Sequence, residues 1–219
     1  MIKAILFDLD GVLIDSMKTH YYATNSATRQ FGKKVTLKEF KEKFWGVYIG
    51  DSTRHVFGND SLKIRKVVEN YRKNVPKYLK YTKVYPNAKE VLEKLKDKRL
   101  KLGIITSCLR RTTEELLKYA EIENFFDVII SGEDTKPKPA PDAILKACRD
   151  LKVKPSEVVY VGDTRQDVVA GKSAGCFTVA ITTSNSRGRL KGADIIVDNL
   201  KELLAMIRRR SLASVWLIA

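Results

Sequence analysis

The chain reads as an α/β protein, with a Rossmann-like parallel sheet as its core and a small α-helical cap inserted after the first strand. Three observations carry that expectation. Short apolar, β-branched runs alternate with amphipathic helical patterns, the rhythm of parallel β/α construction. Two of the runs end in acids with a Gly close by, the place where open α/β sheets build ligand sites. One long interval, residues 15–81, breaks the rhythm with no convincing strand.

Strands are expected over residues 2–7, 102–106, 128–130, 158–161, 178–181 and 195–197. Most are continuous runs of Val, Ile and Leu, as needed where helices cover both sheet faces. Pro86 is expected to start a helix whose stripe is Val91, Leu92 and Leu95. Thr112 with Glu115 reads as a capping box, and Pro141 opens a helix through Ile144, Leu145 and Leu151. Within 15–81 three helices are expected: 16–31 stopped by Gly32, 36–44 capped by Thr36 with Glu39, and 61–79. Residues 46–54 read as a loop leading toward a helix. The division is therefore a core of 1–14 and 82–208, a cap of 15–81, and an apolar tail of 209–219 expected to pack on the core or a second subunit.

Composition narrows the function. A hydrophobic share of 44 % supports a buried core and argues against disorder. Lys and Arg total 41 against 26 Asp and Glu, a formal charge of +15. Such a surplus can serve nucleic acid or steer anionic substrates. The basic residues are scattered and carry no nucleic-acid motif, so a solvated Lys-rich surface and no nucleic-acid partner are expected. Cys108, Cys148 and Cys176 form no C-x-x-C pair and imply neither a disulfide framework nor a zinc site. Residues 2–7 are too short and too quickly charged for a signal peptide, and no apolar stretch approaches the ~20 residues of a membrane span. A cytoplasmic protein without a membrane partner is expected, as monomer or homodimer.

The chemistry concentrates at Phe7-Asp8-Leu9-Asp10-Gly11. Residues two apart on a strand project to the same side. Two carboxylates ~4 Å apart repel by about 4 kcal/mol at an effective dielectric near 20, so a cation is the physical expectation. An EF-hand loop is excluded, because Gly11 falls at the fourth position from Asp8 rather than the sixth. In Val159-Tyr160-Val161-Gly162-Asp163-Thr164-Arg165-Gln166-Asp167 a second strand ends in an acid, with another acid four residues on. Alone, Asp163 could be a helix N-cap and Asp167 a dipole partner. Thr106-Ser107 ends a strand with hydroxyls, and Lys136-Pro137-Lys138-Pro139-Ala140-Pro141-Asp142 places two lysines in a stiff loop. Gly171-Lys172-Ser173 mimics the end of a P-loop, but its first Gly would fall on Gln166.

These four segments, in this order, resemble the motifs of the haloacid dehalogenase-like hydrolase superfamily: Asp-x-Asp-Gly at Asp8, Thr106, Lys-Pro-x-Pro-Asp around Lys138, and Gly-Asp-Thr-x-x-Asp at Gly162. The helical insertion resembles the C1-type cap of the phosphoglycolate phosphatase and β-phosphoglucomutase branch. The pair Asp8 and Asp10 is similar to that of phosphatases and mutases rather than dehalogenases. The resemblance implies a Mg²⁺-dependent phosphatase acting on a small phosphorylated metabolite, of phosphoglycolate or sugar-phosphate type. Asp8 would be the nucleophile that becomes an aspartyl-phosphate, and Asp10 the acid/base. Asp8, Asp10, Asp163 and Asp167 would surround the metal, Asp167 by orienting the metal shell or Lys138. Thr106, Ser107 and Lys138 would stabilise the transferring phosphoryl group, with Lys136 the rival to Lys138. In the cap, Arg54 is a candidate for the substrate's carboxylate or hydroxyl, and His20 for assisting Asp10. A phosphomutase of the same fold, or a non-catalytic binding protein on this scaffold, is the alternative.

Overall fold

The computed structural model describes residues 1–209, so the expectation for the apolar tail lies outside the described residues. Six strands form one sheet: β1 (Ala4–Phe7), β4 (Lys101–Ile105), β5 (Val128–Ile130), β6 (Val158–Gly162), β7 (Phe177–Ile181) and β8 (Ile195–Val197). All pairs are parallel, in the order β5-β4-β1-β6-β7-β8. β1 lies between β4 and β6, Phe7 standing opposite Ile104 on one side and Val161 on the other. The sheet reverses direction of growth there, which opens a crevice at the carboxyl ends of the central strands.

Alternation along the strands sorts the core into two layers. Ile5 and Phe7 face one layer with helices α5 (Ala88–Asp97), α6 (Arg110–Ala120) and α9 (Leu200–Arg209). Ala4, Leu6 and Tyr160 face the other, with α7 (Asp142–Asp150) and α8 (Arg165–Ala174). β1 is wholly buried, which is why it carries no polar residue until Asp8.

The insertion holds four helices, α1 (Met17–Arg29), α2 (Leu37–Lys43), α3 (Ile49–Phe57) and α4 (Ser61–Tyr78), where the sequence predicts three. Helix α3 begins at Ile49 and takes in most of the expected loop, because Ile49, Ser52 and Thr53 bury one face and the Thr53 hydroxyl donates to the Ile49 carbonyl at 2.7 Å. Ala23, Ala27, Val67, Tyr71 and Val75 give the insertion its own apolar core. Thr36 and Glu39 form the expected capping box at α2. The chain enters and leaves the insertion through a two-residue antiparallel ribbon, β2 (Ile14–Asp15) with β3 (Lys83–Val84), too short for periodicity to reveal.

Two boundaries differ from expectation. Helix α5 begins at Ala88, after Asn87 in a left-handed conformation, rather than at Pro86. The Thr112–Glu115 capping box does not form: α6 begins at Arg110, and Thr112 is buried inside it. The first exposed amide of α6 is met instead by Glu133 from a distant loop, at 2.7 Å from the Arg110 nitrogen. A tertiary acceptor at the helix start makes a local cap one turn later unnecessary.

Candidate active site

Asp8 follows the last residue of β1 and is tied into the crevice by its backbone amide, which donates to the Val161 carbonyl at 2.8 Å. The chain then turns sharply at Gly11, whose φ is +85°. A Cβ there would also lie 2.2 Å from the Asp163 carboxylate, so only glycine lets this turn approach the acid. Gly162 plays the same part at the end of β6, where a Cβ would meet the Asp167 Cβ at 2.2 Å.

One group of side chains belongs to the core alone. Asp8, Asp163 and Asp167 are buried and offer carboxylate oxygens within 4.8 Å of one another. The Lys138 ammonium donates to Asp8 at 2.8 Å and to Asp167 at 2.7 Å. Lys136 is exposed. Asp167 also accepts from the Tyr160 hydroxyl at 2.7 Å and from the Thr164 amide at 3.0 Å, closing a capping box at the start of α8. Asp163 accepts from the Ser184 hydroxyl on one oxygen, while its other oxygen is buried with no hydrogen-bond partner.

Charge explains the protonation pattern. Burial pushes the Asp8 carboxyl up to about 7, with Lys138 opposing the rise and Asp167 and Asp10 adding to it. Burial, Asp8 and Asp167 likewise hold Asp163 well above the usual carboxylate range. Burial would raise Asp167 too, but Lys138, Thr164 and Tyr160 outweigh it and its value is lowered. Burial disfavours the Lys138 charge, yet Asp167 and Asp8 raise it well above an ordinary lysine. Three buried acids with one cation between them, and one oxygen without a hydrogen-bond partner, suit a further positive charge. An all-oxygen donor set suits a hard divalent cation.

The second group joins core to insertion. Asp10 contacts the His20 Nε2 of α1 at 3.0 Å, accepts from the Cys108 thiol at 3.0 Å, and accepts from the Ser16 hydroxyl. The His20 Nδ1 meets the Tyr71 hydroxyl of α4 at 2.6 Å. Burial alone would raise Asp10; His20, Cys108 and Ser16 outweigh it and hold the carboxyl at about 2. Burial and Asp10 push the Cys108 thiol well up, so it stays a donor. Asp10, His20 and Cys108 are also close enough to share an ion, but their nitrogen and sulfur donors form a softer set than the three acids.

Both groups open on one cavity of about 40 Å³, lined by Asp8, Asp10, His20, Thr106, Ser107 and Lys138. At roughly 10–15 Å³ for each water centre, it holds a few water molecules. Phe40, Phe44, Trp45, Val47 and Ile49 of the insertion form its roof. Arg54 is not brought there. It lines a separate groove between α3 and α4 and pairs with Asp51 at 2.5 Å. Sequence reasoning missed Ser16, Tyr71, Cys108, Tyr160 and Ser184. Cys108 and Ser184 follow strand-ending hydroxyl clusters of the kind that marked Thr106, which was a usable signal. Tyr71 lies 51 residues from His20 and carried none.

Comparison with known proteins places this constellation. The chain belongs to the haloacid dehalogenase-like hydrolases, whose family profile matches residues 5–181, and it carries the Asp-containing motif of that family's hydrolases and phosphatases. It is 31 % identical to the pyrophosphatase PpaX of Bacillus mycoides over 95 % of this chain and 98 % of that protein. A hydrolase from Pseudomonas syringae superposes with a TM-score of 0.84 at 22 % identity, over 94 % of this chain and 98 % of the other. The β-phosphoglucomutase of Clostridium difficile does so at 0.83 and 24 %, over 95 % and 96 %. Among the described residues no helix is long and apolar enough to cross a membrane.

Proposed function

We propose that the chain is a Mg²⁺-dependent phosphatase that hydrolyses a small phosphate ester through an aspartyl-phosphate on Asp8. The observation that carries this reading is the setting of Asp8. It is a buried carboxylate at the end of the central strand, 2.8 Å from the Lys138 ammonium, facing a cavity that also holds Asp10.

Asp8, Asp163 and the Asp10 main chain would hold the metal, with Asp167 anchoring Lys138 beside them. Bound Mg²⁺ would supply positive charge that offsets repulsion between the Asp8 carboxylate and a phosphate dianion. Lys138 and the Thr106-Ser107 turn stabilise charge on the transferring group from the side away from the roof. An Asp8 oxygen attacks phosphorus, the bond to the leaving oxygen breaks, and that oxygen takes a proton held across the Asp10–His20 contact. With its carboxyl held at about 2, Asp10 is ionised near neutrality as it stands, so it must first gain the proton that it passes to the leaving oxygen. In the second half Asp10 takes a proton from water, the water oxygen attacks phosphorus, and the bond from phosphorus to Asp8 breaks to release phosphate.

The test is phosphate release from a panel of phosphorylated metabolites with and without Mg²⁺. Pyrophosphate belongs in it, because the Bacillus mycoides relative is named a pyrophosphatase. Activity should vanish with EDTA and return with Mg²⁺. Full turnover in excess EDTA sinks the reading. The His20–Asp10 contact also suits a phosphomutase, in which the phosphoenzyme outlives water; phosphate transfer to a second sugar hydroxyl, without free phosphate, would mark that activity.

A further inference from the structure

The catalytic cavity is small and its roof is aromatic and aliphatic. Apart from Lys138 it holds no lysine or arginine. Outside it, between the insertion and the core, runs a groove of about 1370 Å³. That exceeds the roughly 300–1,000 Å³ of ordinary small-molecule sites. The two spaces adjoin: Trp45, Val47 and Thr164 line both, and Pro139 beside Lys138 and Ser184 beside Asp163 reach the groove wall.

Five cations line this groove. Lys38 and Lys41 stand three apart on α2, facing the groove from the insertion side. Arg165, Arg189 and Lys191 face it from the core, and Glu42 is the one acid among the lining residues. None of the five side chains makes an ion pair or hydrogen bond among the described residues. Basic residues nearby do find carboxylates. Arg187 pairs with Asp198 at 2.8 Å and Lys172 with Asp194 at 2.5 Å. Of the three arginines of the groove between α3 and α4, Arg54 pairs with Asp51 and Arg72 with Glu133. Five cations thus stand together against one acid at the mouth of the active site. Like charges collected without counter-charges repel, and an anion in the groove relieves that repulsion.

We infer that this groove receives a second anionic group of the substrate, several bonds removed from the phosphate that meets Asp8. The substrate class is a phosphate monoester with an uncharged middle, seated under the aromatic roof, and a distal phosphate or carboxylate outside. This rests on the phosphatase reading and narrows it. Pyrophosphate fits the division poorly, because its two phosphorus atoms share one oxygen and its second charge would lie under the apolar roof.

The experiment compares kcat/KM, with Mg²⁺ and at low salt, for alkyl phosphates from butyl to octyl, the matching alkanediol bisphosphates, and phosphate esters of hydroxyalkanoates. At the favoured length the doubly anionic esters should be preferred by about tenfold, and the preference should shrink as salt screens the groove. Preference for both distal groups assigns a general anion site; preference for the bisphosphate alone assigns a phosphate site. The paired charge reversals Lys38→Glu with Lys41→Glu, and Arg189→Glu with Lys191→Glu, should each cut the ratio at least about threefold through KM. Equal kcat/KM for mono- and bis-anionic esters at every length, or a preference that survives both reversals, overturns the inference. Loss of turnover on every ester would strike the phosphatase reading instead. The groove is then read by calorimetric binding of the bisphosphate to Asp8→Asn, where affinity no better than for the alkyl phosphate refutes it.

Discussion

The site contains two clusters of polar side chains, three acids in one and Asp10 in the other, that differ in what holds them. Asp8, Asp163 and Asp167 are gripped by core groups only: Lys138, Tyr160, Thr164 and Ser184. Asp10 is gripped by Cys108 from the core and by His20 from the insertion, itself held by Tyr71 on another helix of the insertion. The first cluster can form without the roof, whereas the second depends on it. On the mechanism proposed above, the nucleophile would be held by the core alone, whereas the proton's path would need groups of both core and insertion.

Removing the nucleophile should give the largest effect. Asp8→Asn keeps the shape but loses the attacking oxygen, and a rate loss of at least about 10³-fold is expected on every ester alike. Mass spectrometry of acid-quenched wild-type protein should find a phosphoryl group on the Asp8 peptide. Wild-type turnover by the variant would replace covalent catalysis with direct attack by water.

Asp10→Asn should be more selective. A loss of about 10²-fold or more is expected on an alkyl phosphate, whose leaving oxygen needs a proton, and a smaller one on p-nitrophenyl phosphate. Equal losses on both would put Asp10 in the same functional unit as Asp8 and erase the comparison. Tyr71→Phe sharpens it further. The change deprives His20 of its 2.6 Å partner without touching the core cluster. Loss of one hydrogen bond, about 1 kcal/mol, corresponds to roughly fivefold in kcat on the alkyl ester. The pH profile should move with it, while p-nitrophenyl phosphate hydrolysis stays within about twofold. A fall on both substrates together would make Tyr71 purely a packing residue.

The smallest effect is expected at the seam. Asp134 accepts from the Ser131 amide at 2.6 Å and from Arg110, next to Glu133, which pairs with Arg72 of α4 at 2.9 Å. Burial would raise its carboxyl, but Ser131 and Arg110 outweigh it and lower the value below 3.8. An acid with a depressed folded value stabilises fully above its unfolded value and loses that stability as pH falls through the folded one. Asp134→Asn should therefore cost about 1 kcal/mol near neutrality. The gap to wild type in thermal melts should narrow below the ordinary carboxylate range. A gap independent of pH would mean the charge of Asp134 contributes nothing.

Much of the core was legible residue by residue. β1, β4, β5, β6, β7 and β8 lie within a residue or two of their expected places, because a strand buried on both faces must be a continuous apolar run. Asp8, Asp10 and Asp163 were legible for a related reason: a carboxylate at the end of such a run is conspicuous. The insertion was harder. Helix α3 hides its face behind Gly50, Ser52 and Thr53, which carry little hydrophobic signal although they are buried. The ribbon of β2 and β3 spans two residues on each side, shorter than any period.

By itself the sequence determined the order of elements, the acids at the strand ends and the family to which they belong, since each rests on local pattern. Only the tertiary structure decided how the acids divide. Lys138 rather than Lys136 reaches Asp8, Tyr71 meets His20 from 51 residues away, and Arg54 turns aside to Asp51. The same holds for the unpaired cations of the outer groove, which come from three separate stretches of chain. Composition counts charges, but whether a lysine stands beside a carboxylate or beside other lysines is set by packing, because charges interact through space rather than along the chain.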